Sequence, residues 1–442
     1  MKEHNIKVLI VSTSDAVGGA AVAAQRLLHS LNNSKGVDAK MLVATGQPNE
    51  HIKVLTESLG KKLLYKCAFL AERLQIFTHN KWDRSKLFHV STAGFGLDIQ
   101  DHPWVKWADV IHFHWINQGF LSLRGIEKIA SLHKPIVWTL HDLWPATSIC
   151  HHPRECERYT LNAPCGICPQ INSTKQKDLS GIVASEKIKL YSKLNLHIVG
   201  CSEWIMKEAQ KSSLLRNASF YNVPNPIDVD LFAPMSRLAA RRQLGIREEG
   251  FYIMFGAVRA DDYRKGIDEL AKMLHSLYRS HPEIREDFHL IIFGNMSQEA
   301  KDKLPPFDVH YLGYVTDKRL MAKAYNAADL FVTTSLEENL PNTIMESLSC
   351  GTPCVGFDVG GIPEMISSED LGHVSPLKDV ENMKDFILQY YFEEKNNYPK
   401  NSTEDQSLSI ARNCCRCTVL GKYDSPIVAQ RYQSIYLESL KC

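Results

Sequence analysis

The segment Ser335-Leu-Glu-Glu-Asn-Leu-Pro-Asn-Thr-Ile-Met-Glu-Ser-Leu-Ser-Cys-Gly-Thr-Pro-Cys-Val-Gly-Phe-Asp-Val-Gly-Gly-Ile-Pro-Glu364 begins just past one short apolar run, Asp329–Thr333, and contains the next, Pro353–Asp358. Each run is short, apolar and bounded by turn residues, the pattern of a buried strand. Asn342–Cys350 between them reads as a helix, with Asn342 as its N-cap. Glu338 then falls on the loop beyond the first strand and Glu346 on the first turns of the helix, with seven residues between them. In open α/β sheets, ligands bind outside the carboxyl ends of the strands. N–H groups at a helix start attract an anion such as a diphosphate. Glu338 and Glu346 can accept hydrogen bonds from sugar and ribose hydroxyls.

The same alternation extends in both directions. Lys7–Ser12, Ala39–Ala44, Val110–His114, Ile136–Leu140 and His197–Ser202 read as strands in the first half of the chain. Tyr252–Gly256, His289–Gly294 and Val309–Leu312 join the two runs above in the second half, with helices at Gly266–Tyr278 and Asp317–Ala327. Strands alternating with helices predict an α/β fold with parallel sheets. Between the halves, Asn222–Pro234 holds three prolines, which neither a helix nor a central strand accommodates, so it reads as a linker. The expected organisation is two Rossmann-like domains facing a cleft, residues 1–221 and 222–424, with a final helix over 425–442 that returns to the first domain.

Composition narrows the function. The 442 residues carry 51 Lys+Arg against 50 Asp+Glu, a net charge of +1 that gives no global field for nucleic acid. With 44% hydrophobic residues the chain is not disordered in bulk. No apolar run approaches the roughly 20 residues of a membrane span. Lys2 and Lys7 are positive, but Val8–Val11 is too short for a signal sequence, so a cytoplasmic protein is expected.

Two loops add chemistry. Gly256-Ala-Val-Arg-Ala-Asp-Asp-Tyr-Arg-Lys-Gly266 places Arg259 and Lys265 between a strand and a helix. Two cations on one loop suit an anion, and no metal need be assumed for catalysis; Arg264 is a competing cation beside Lys265. Gly18-Gly19-Ala20 follows the first strand and opens a helix, where glycines let a ligand approach the backbone.

The Ser335–Glu364 segment resembles the donor-binding signature of retaining glycosyltransferase family 4, whose members have the GT-B fold. Glu338 and Glu346 match its E-x7-E motif, and the Gly351-Thr352-Pro353 and Gly360-Gly361-Ile362-Pro363-Glu364 turns match as well. Asn339-Leu340-Pro341-Asn342 stands where Phe-Gly is usual. The resemblance implies that Arg259 and Lys265 neutralise the donor diphosphate, that Gly18 and Gly19 line the cleft, that Glu338 binds the donor sugar and Glu346 its ribose, and that backbone donors of 339–342 assist. Val110-Ile-His-Phe-His114 aligns His114 with the family's cleft histidine, leaving His112 as a satisfied core residue. Thr139-Leu-His141-Asp142 resembles an element at the acceptor side. Arg259, Lys265, Glu338 and His114 are then the catalytic set. The implied reaction moves a sugar from a nucleotide-sugar to a glycan, lipid-linked in surface polysaccharide assembly at the inner membrane face. It proceeds with retention, the leaving phosphate taking the acceptor proton. The alternatives are a GT-B nucleotide-sugar epimerase and a non-catalytic module binding sugar nucleotide or metal.

Two features lie outside this frame. Lys61–Lys81 reads as a cationic amphipathic helix whose Leu63, Leu64, Cys67, Ala68, Ala71, Leu74 and Phe77 share a face, with Lys61, Lys62, Lys66, Arg73 and Lys81 supplying charge. It packs on the first domain, or it adsorbs to an anionic membrane surface as a peripheral contact. Within 143–170, four of the twelve cysteines, Cys150, Cys156, Cys165 and Cys168, are spaced x5, x8 and x2. A structural Zn²⁺, two disulfides or unliganded thiols fit this spacing, and His151 or His152 can replace a thiolate. Cys414, Cys415 and Cys417 are too tightly spaced for a complete site.

Overall fold

The structure, a computed structural model, describes residues 5–162, 165–259, 262–397 and 410–441. Lys2, Ala163 and Pro164 of the cysteine-rich insertion, and Ala260 and Asp261 of the cationic loop lie outside the described residues. One unit runs as far as Pro226 and takes up the chain again at Ser425; the other is Ile227–Asp424.

In the first unit, strands β1 (Ile6–Ser14), β2 (Val37–Thr45), β3 (Ile52–Val54), β4 (Val110–Phe113), β5 (Ile136–Leu140), β6 (Leu196–Gly200) and β7 (Ser219–Asn222) form a parallel sheet in the order β3-β2-β1-β4-β5-β6-β7. The uninterrupted apolar run of β1 follows from burial on both faces. Val8 and Ile10 pack with Leu27, Leu28 and Leu31 of the helix Gly19–Asn32. Leu9 and Val11 face the opposite way, towards Ile111, Phe113 and Trp138. The terminal helix Ser425–Ser439 belongs to this unit and buries Val428, Tyr432 and Tyr436 in the first of these clusters.

The second unit repeats the plan with β8 (Phe251–Arg259), β9 (Phe288–Asn295), β10 (Asp308–Gly313), β11 (Leu330–Thr333), β12 (Cys354–Phe357) and β13 (Gly372–Ser375), parallel in the order β10-β9-β8-β11-β12-β13. In each sheet the order reverses between two neighbouring strands, β1 and β4 in the first and β8 and β11 in the second. Such switch points open a crevice at the carboxyl ends of the strands. Arg259 ends β8, Gly18 follows β1, His114 follows β4, and Glu338 follows β11. The short strands β3, β7 and β13 were not read from the sequence.

The amphipathic helix departs from the sequence reading. It spans Leu59–His79 and packs through Ala68, Glu72, Arg73 and Ile76. Arg73 turns inward to pair with the fully buried Glu72 at 2.8 Å, so it supplies no surface charge. Leu59, Leu63, Leu70 and Leu74 are 85%, 63%, 62% and 59% exposed. The leucines of the expected face therefore point away from the core, whereas its Ala68 packs inward and Ala71 and Phe77 are half-buried.

The second unit is tied together at its entry by Asp329. This buried carboxylate accepts from Arg237 at 2.5 Å, from Arg241 at 2.7 Å and from the Tyr252 N–H at 2.6 Å. It joins the helix Arg237–Leu244 to β8 and to the start of β11. Removing one partner of a buried ion pair strands the other charges, at a cost of about 3–5 kcal/mol. Asp329→Ala is expected to destabilise the full chain by that amount in urea denaturation. An unchanged midpoint would show that the arginines are solvated without Asp329.

Candidate functional site

The second unit's candidate residues are assembled by two loops laid against each other. Past β8, a single turn at Tyr263–Lys265 is capped by the Asp262 side chain, which accepts from the Arg264 N–H at 3.0 Å. The Arg264 guanidinium also turns back to Asp262 at 2.7 Å, which commits it locally. Lys265 instead pairs with Glu338. Arg264, the competing cation, and Lys265, the better-matched one, thus have different carboxylate partners. The Thr334 hydroxyl donates to the Gly266 carbonyl at 2.7 Å, and the Leu336 N–H donates to the Arg264 carbonyl at 2.7 Å. Gly266 has φ +66°, and a Cβ there would run into the Thr334 carbonyl. Gly360 has φ +59°, and its Cβ would collide with the Glu338 carbonyl. The Gly361 N–H donates to the Asn339 carbonyl at 2.8 Å. Only glycine meets both demands at once, a positive φ and a close backbone approach.

One sequence reading is corrected here. Pro341, not Asn342, is the N-cap of the helix Asn342–Ser349, and it gives no side-chain cap. The proline ring fixes φ at −66° in an extended conformation, so Asn342 becomes the first helical residue. Asn339, Leu340 and Pro341 are buried, whereas Asn342 and Glu346 are half-buried. Glu346 accepts from the Tyr325 hydroxyl at 3.1 Å. Burial, with Glu346 adding to it, holds that hydroxyl well above the usual phenol range, so it remains a donor. Arg259 stands exposed at the end of β8, opposite Asn295 of β9.

In the first unit, Gly18 caps the helix Gly19–Asn32 at φ +92°. A Cβ there would meet open space, so the backbone angle rather than crowding demands the glycine. The Ser14 hydroxyl accepts from the Ala16 and Val17 N–H groups and shapes the loop before it. Past β4, the His114 Nδ1 lies 2.9 Å from the His141 Nε2, and the two rings stack. The His114 Nε2 is buried with no hydrogen-bond partner among the described residues. His112 is a satisfied core histidine, bonded to the Tyr436 hydroxyl at 2.8 Å and the Thr139 hydroxyl at 2.8 Å. Burial pushes His114 well below the imidazole range and His141 down to about 4, Asp142 opposing the latter. Both rings are neutral near pH 7.

Asp142 accepts from the Trp115 indole at 2.9 Å, from the Trp144 N–H at 2.9 Å and from His151 at 2.7 Å. Although burial raises its carboxyl, His151 and these donors hold it below the ordinary range. The His151 Nε2 meets the Ser91 hydroxyl at 3.0 Å. Both ring nitrogens of His151 are engaged, which corrects its reading as a substitute for a cysteine ligand. Its pairing with Asp142 was missed because the two lie nine positions apart with no shared period. The thiols of Cys150, Cys156, Cys165 and Cys168 line one small cavity beside this network. Burial lifts Cys150 to about 12, the other three thiols adding to it, and lifts Cys168 to about 11.

Two doubly wound parallel sheets, each with loop residues gathered at its switch point, define the GT-B fold. Residues 251–392 match the family described as Glycosyl transferases group 1, and the second unit carries a domain of that family. The chain is 27% identical over 261 residues to the putative colanic acid biosynthesis glycosyl transferase WcaC of Escherichia coli K12. That match takes in 56% of this chain and 59% of the relative, so the chain spans about six-tenths of that curated relative's length. A sucrose-phosphate synthase of Thermosynechococcus elongatus superposes with a TM-score of 0.62 over 98% of this chain and 99% of its own, at 15% identity. The Anabaena protein Alr3699/HepE, solved with UDP-glucose, superposes with a TM-score of 0.59 over 98% of this chain and all of its own, also at 15% identity.

The buried histidines set a pH dependence. Burial lowers His112 from 6.5 to about 3. Between those values the unfolded chain binds more protons than the folded one, so stability rises with pH across the window. The contribution is complete above about 6.5 and is lost as the pH falls towards 3. His112→Gln is expected to flatten the fall of the denaturant midpoint across this window. An identical slope would assign the loss to other groups.

Proposed function

We propose that this protein is a retaining glycosyltransferase that moves a sugar from a nucleotide-sugar to a glycan acceptor in surface polysaccharide assembly. The observation that carries the reading is the Lys265–Glu338 pair, held at the carboxyl ends of β8 and β11 by Gly266 and Gly360. The pair is partly exposed, so an anionic ligand can take Lys265 from its carboxylate. Lys265 and Arg259 then face the diphosphate, Glu338 the sugar hydroxyls and Glu346 the ribose. As the bond from the anomeric carbon to the diphosphate oxygen breaks, negative charge collects on the leaving group, where fixed cations lower the barrier. The acceptor oxygen bonds to the same carbon, and its proton passes to a phosphate oxygen. On the first unit, His114, His141 and Asp142 receive the acceptor, with the buried His114 Nε2 offered to a hydroxyl. The WcaC likeness supports a transferase over an epimerase, and the Alr3699/HepE complex supports a uridine diphosphate sugar as the first donor to try.

Removing a single electrostatic contact of this kind costs about 100-fold in rate. Lys265→Ala and Glu346→Ala are each expected to lower transfer from a nucleotide-sugar by about that factor while leaving the far-ultraviolet circular dichroism unchanged. Near-parental turnover in both variants would refute the assignment, and a product of inverted anomeric configuration would refute retention.

The outward stripe of the helix Leu59–His79 supports a lipid-linked acceptor. Among the described residues no helix is long and apolar enough to cross a membrane. Exposed Leu59, Leu63, Leu70 and Leu74 flanked by exposed Lys61, Lys62 and Lys66 instead match the face of an anionic bilayer. The full chain is expected to co-sediment with phosphatidylglycerol vesicles, and Leu63→Asp with Leu70→Asp to release it. Binding that is indifferent to lipid charge, or that survives both substitutions, would remove this contact.

A further inference from the structure

The cysteine-rich insertion is the motif that the transfer reaction leaves unused. Cys150, Cys156, Cys165 and Cys168 line a single cavity of about 20 Å³, room for one water-sized atom. All four are free thiols. Between Leu143 and Asp178 the only regular pieces among the described residues are the single turns Arg158–Thr160 and Pro169–Ile171, so no helix or strand accounts for the convergence. The Cys165-Gly-Ile-Cys168 turn is folded back on itself. Ile167 has φ +49° and donates its N–H to the Lys175 carbonyl at 2.8 Å. The Cys168 N–H donates to the Asp178 carboxylate at 2.9 Å. A C-x2-C turn can supply half of a tetrahedral thiolate site, and Cys150 and Cys156 line the same cavity.

A second observation points the same way. Lys187 is fully buried on the helix Leu179–Tyr191, its ammonium donating to the carbonyls of Trp144 at 2.6 Å and Thr147 at 2.9 Å. Neither carbonyl neutralises it. The acidic groups close enough to act on its charge are Cys150, Asp142 and Cys165, and Asp142 is already paired with His151. Burial pushes Lys187 well below the ordinary ammonium range, and a thiolate beside it would oppose that shift.

We propose that Cys150, Cys156, Cys165 and Cys168 bind one structural zinc ion. Among the described residues no three His, Cys, Asp or Glu side chains stand in metal-ligand geometry, so the proposal requires the thiols to turn inward to a Zn–S distance of about 2.3 Å on binding. Four thiols release four protons to solvent and form four bonds to Zn²⁺, leaving a centre of net charge −2. Lys187 supplies part of the countercharge. The ion also braces the peptide after Cys150. There the His151 N–H donates to the His89 carbonyl at 3.2 Å, its carbonyl accepts from the Leu143 N–H at 3.0 Å, and its ring meets Asp142. Zinc thereby makes His151 a positioning residue for the Asp142 carboxylate.

The test is metal analysis of the full chain purified without chelator, a readout that needs no transfer assay. About one zinc per chain is expected, lost in Cys165→Ser with Cys168→Ser and kept in Cys67→Ser with Cys417→Ser, whose thiols are exposed elsewhere. Should the first pair fail to fold, cobalt exchanged into the parent chain decides the matter, because a tetrahedral tetrathiolate has intense sulfur-to-cobalt absorption. Substoichiometric zinc with all four thiols open to a thiol reagent overturns the proposal. So does a disulfide between any two of them in peptide maps, or a cobalt spectrum without thiolate bands.

Discussion

Two backbone contacts, Gly266 against the Thr334 carbonyl and Gly360 against the Glu338 carbonyl, govern the candidate donor site. Each brings a loop from one strand exit onto the loop from its neighbour, closer than any side chain permits. Lys265 and Glu338 meet because their own peptides are fixed there, not because long side chains happen to find each other. A site positioned by backbone loses little entropy when a ligand arrives. Gly266 is also the N-cap of the helix Ile267–Ser280.

The sequence was most legible where burial was complete. A strand such as Val8–Val11 is apolar without alternation because both of its faces are buried, and its shortness and turn-residue boundaries separate it from a buried helix. The edge strand β7 alternates only weakly between exposed and half-buried residues, so it carries no comparable imprint. β3, three residues long, is too short to show a period. The helix Leu59–His79 shows another limit. Periodicity reports that leucines share a face, but not whether that face meets protein, and here the protein takes the side carrying Glu72 and Arg73. At Pro341 a capping preference lost to ring geometry. The E-x7-E carboxylates were legible as a motif, but their partners, Lys265 for one and Tyr325 for the other, lie on distant segments that only the fold brings near.

In the first unit, polar groups are connected rather than scattered. Tyr436 bonds His112, His112 bonds Thr139, and Thr139 bonds Tyr432, so the terminal helix is locked to β4 and β5 by a closed set of buried hydrogen bonds. The His112 ring lies 4.5 Å from that of His114, which reaches His141. Such networks hold one arrangement firmly, because an unpaired member would bear its full desolvation cost. Among the described residues the His114 Nε2 is one of several buried atoms without a hydrogen-bond partner, and its ring is held by the contact of Nδ1 with His141.

Exposure separates the two carboxylate contacts of the candidate sites. His151 and Asp142 are 8% and 12% exposed, and the carboxylate has two further donors, so parting them leaves a buried carboxylate short of a donor. Lys265 and Glu338 are 27% and 18% exposed, and water offsets more of the cost of exchange. A diphosphate carries more charge than one carboxylate and presents several oxygens to the same ammonium. The first pair is suited to hold a shape, and the second to change partners.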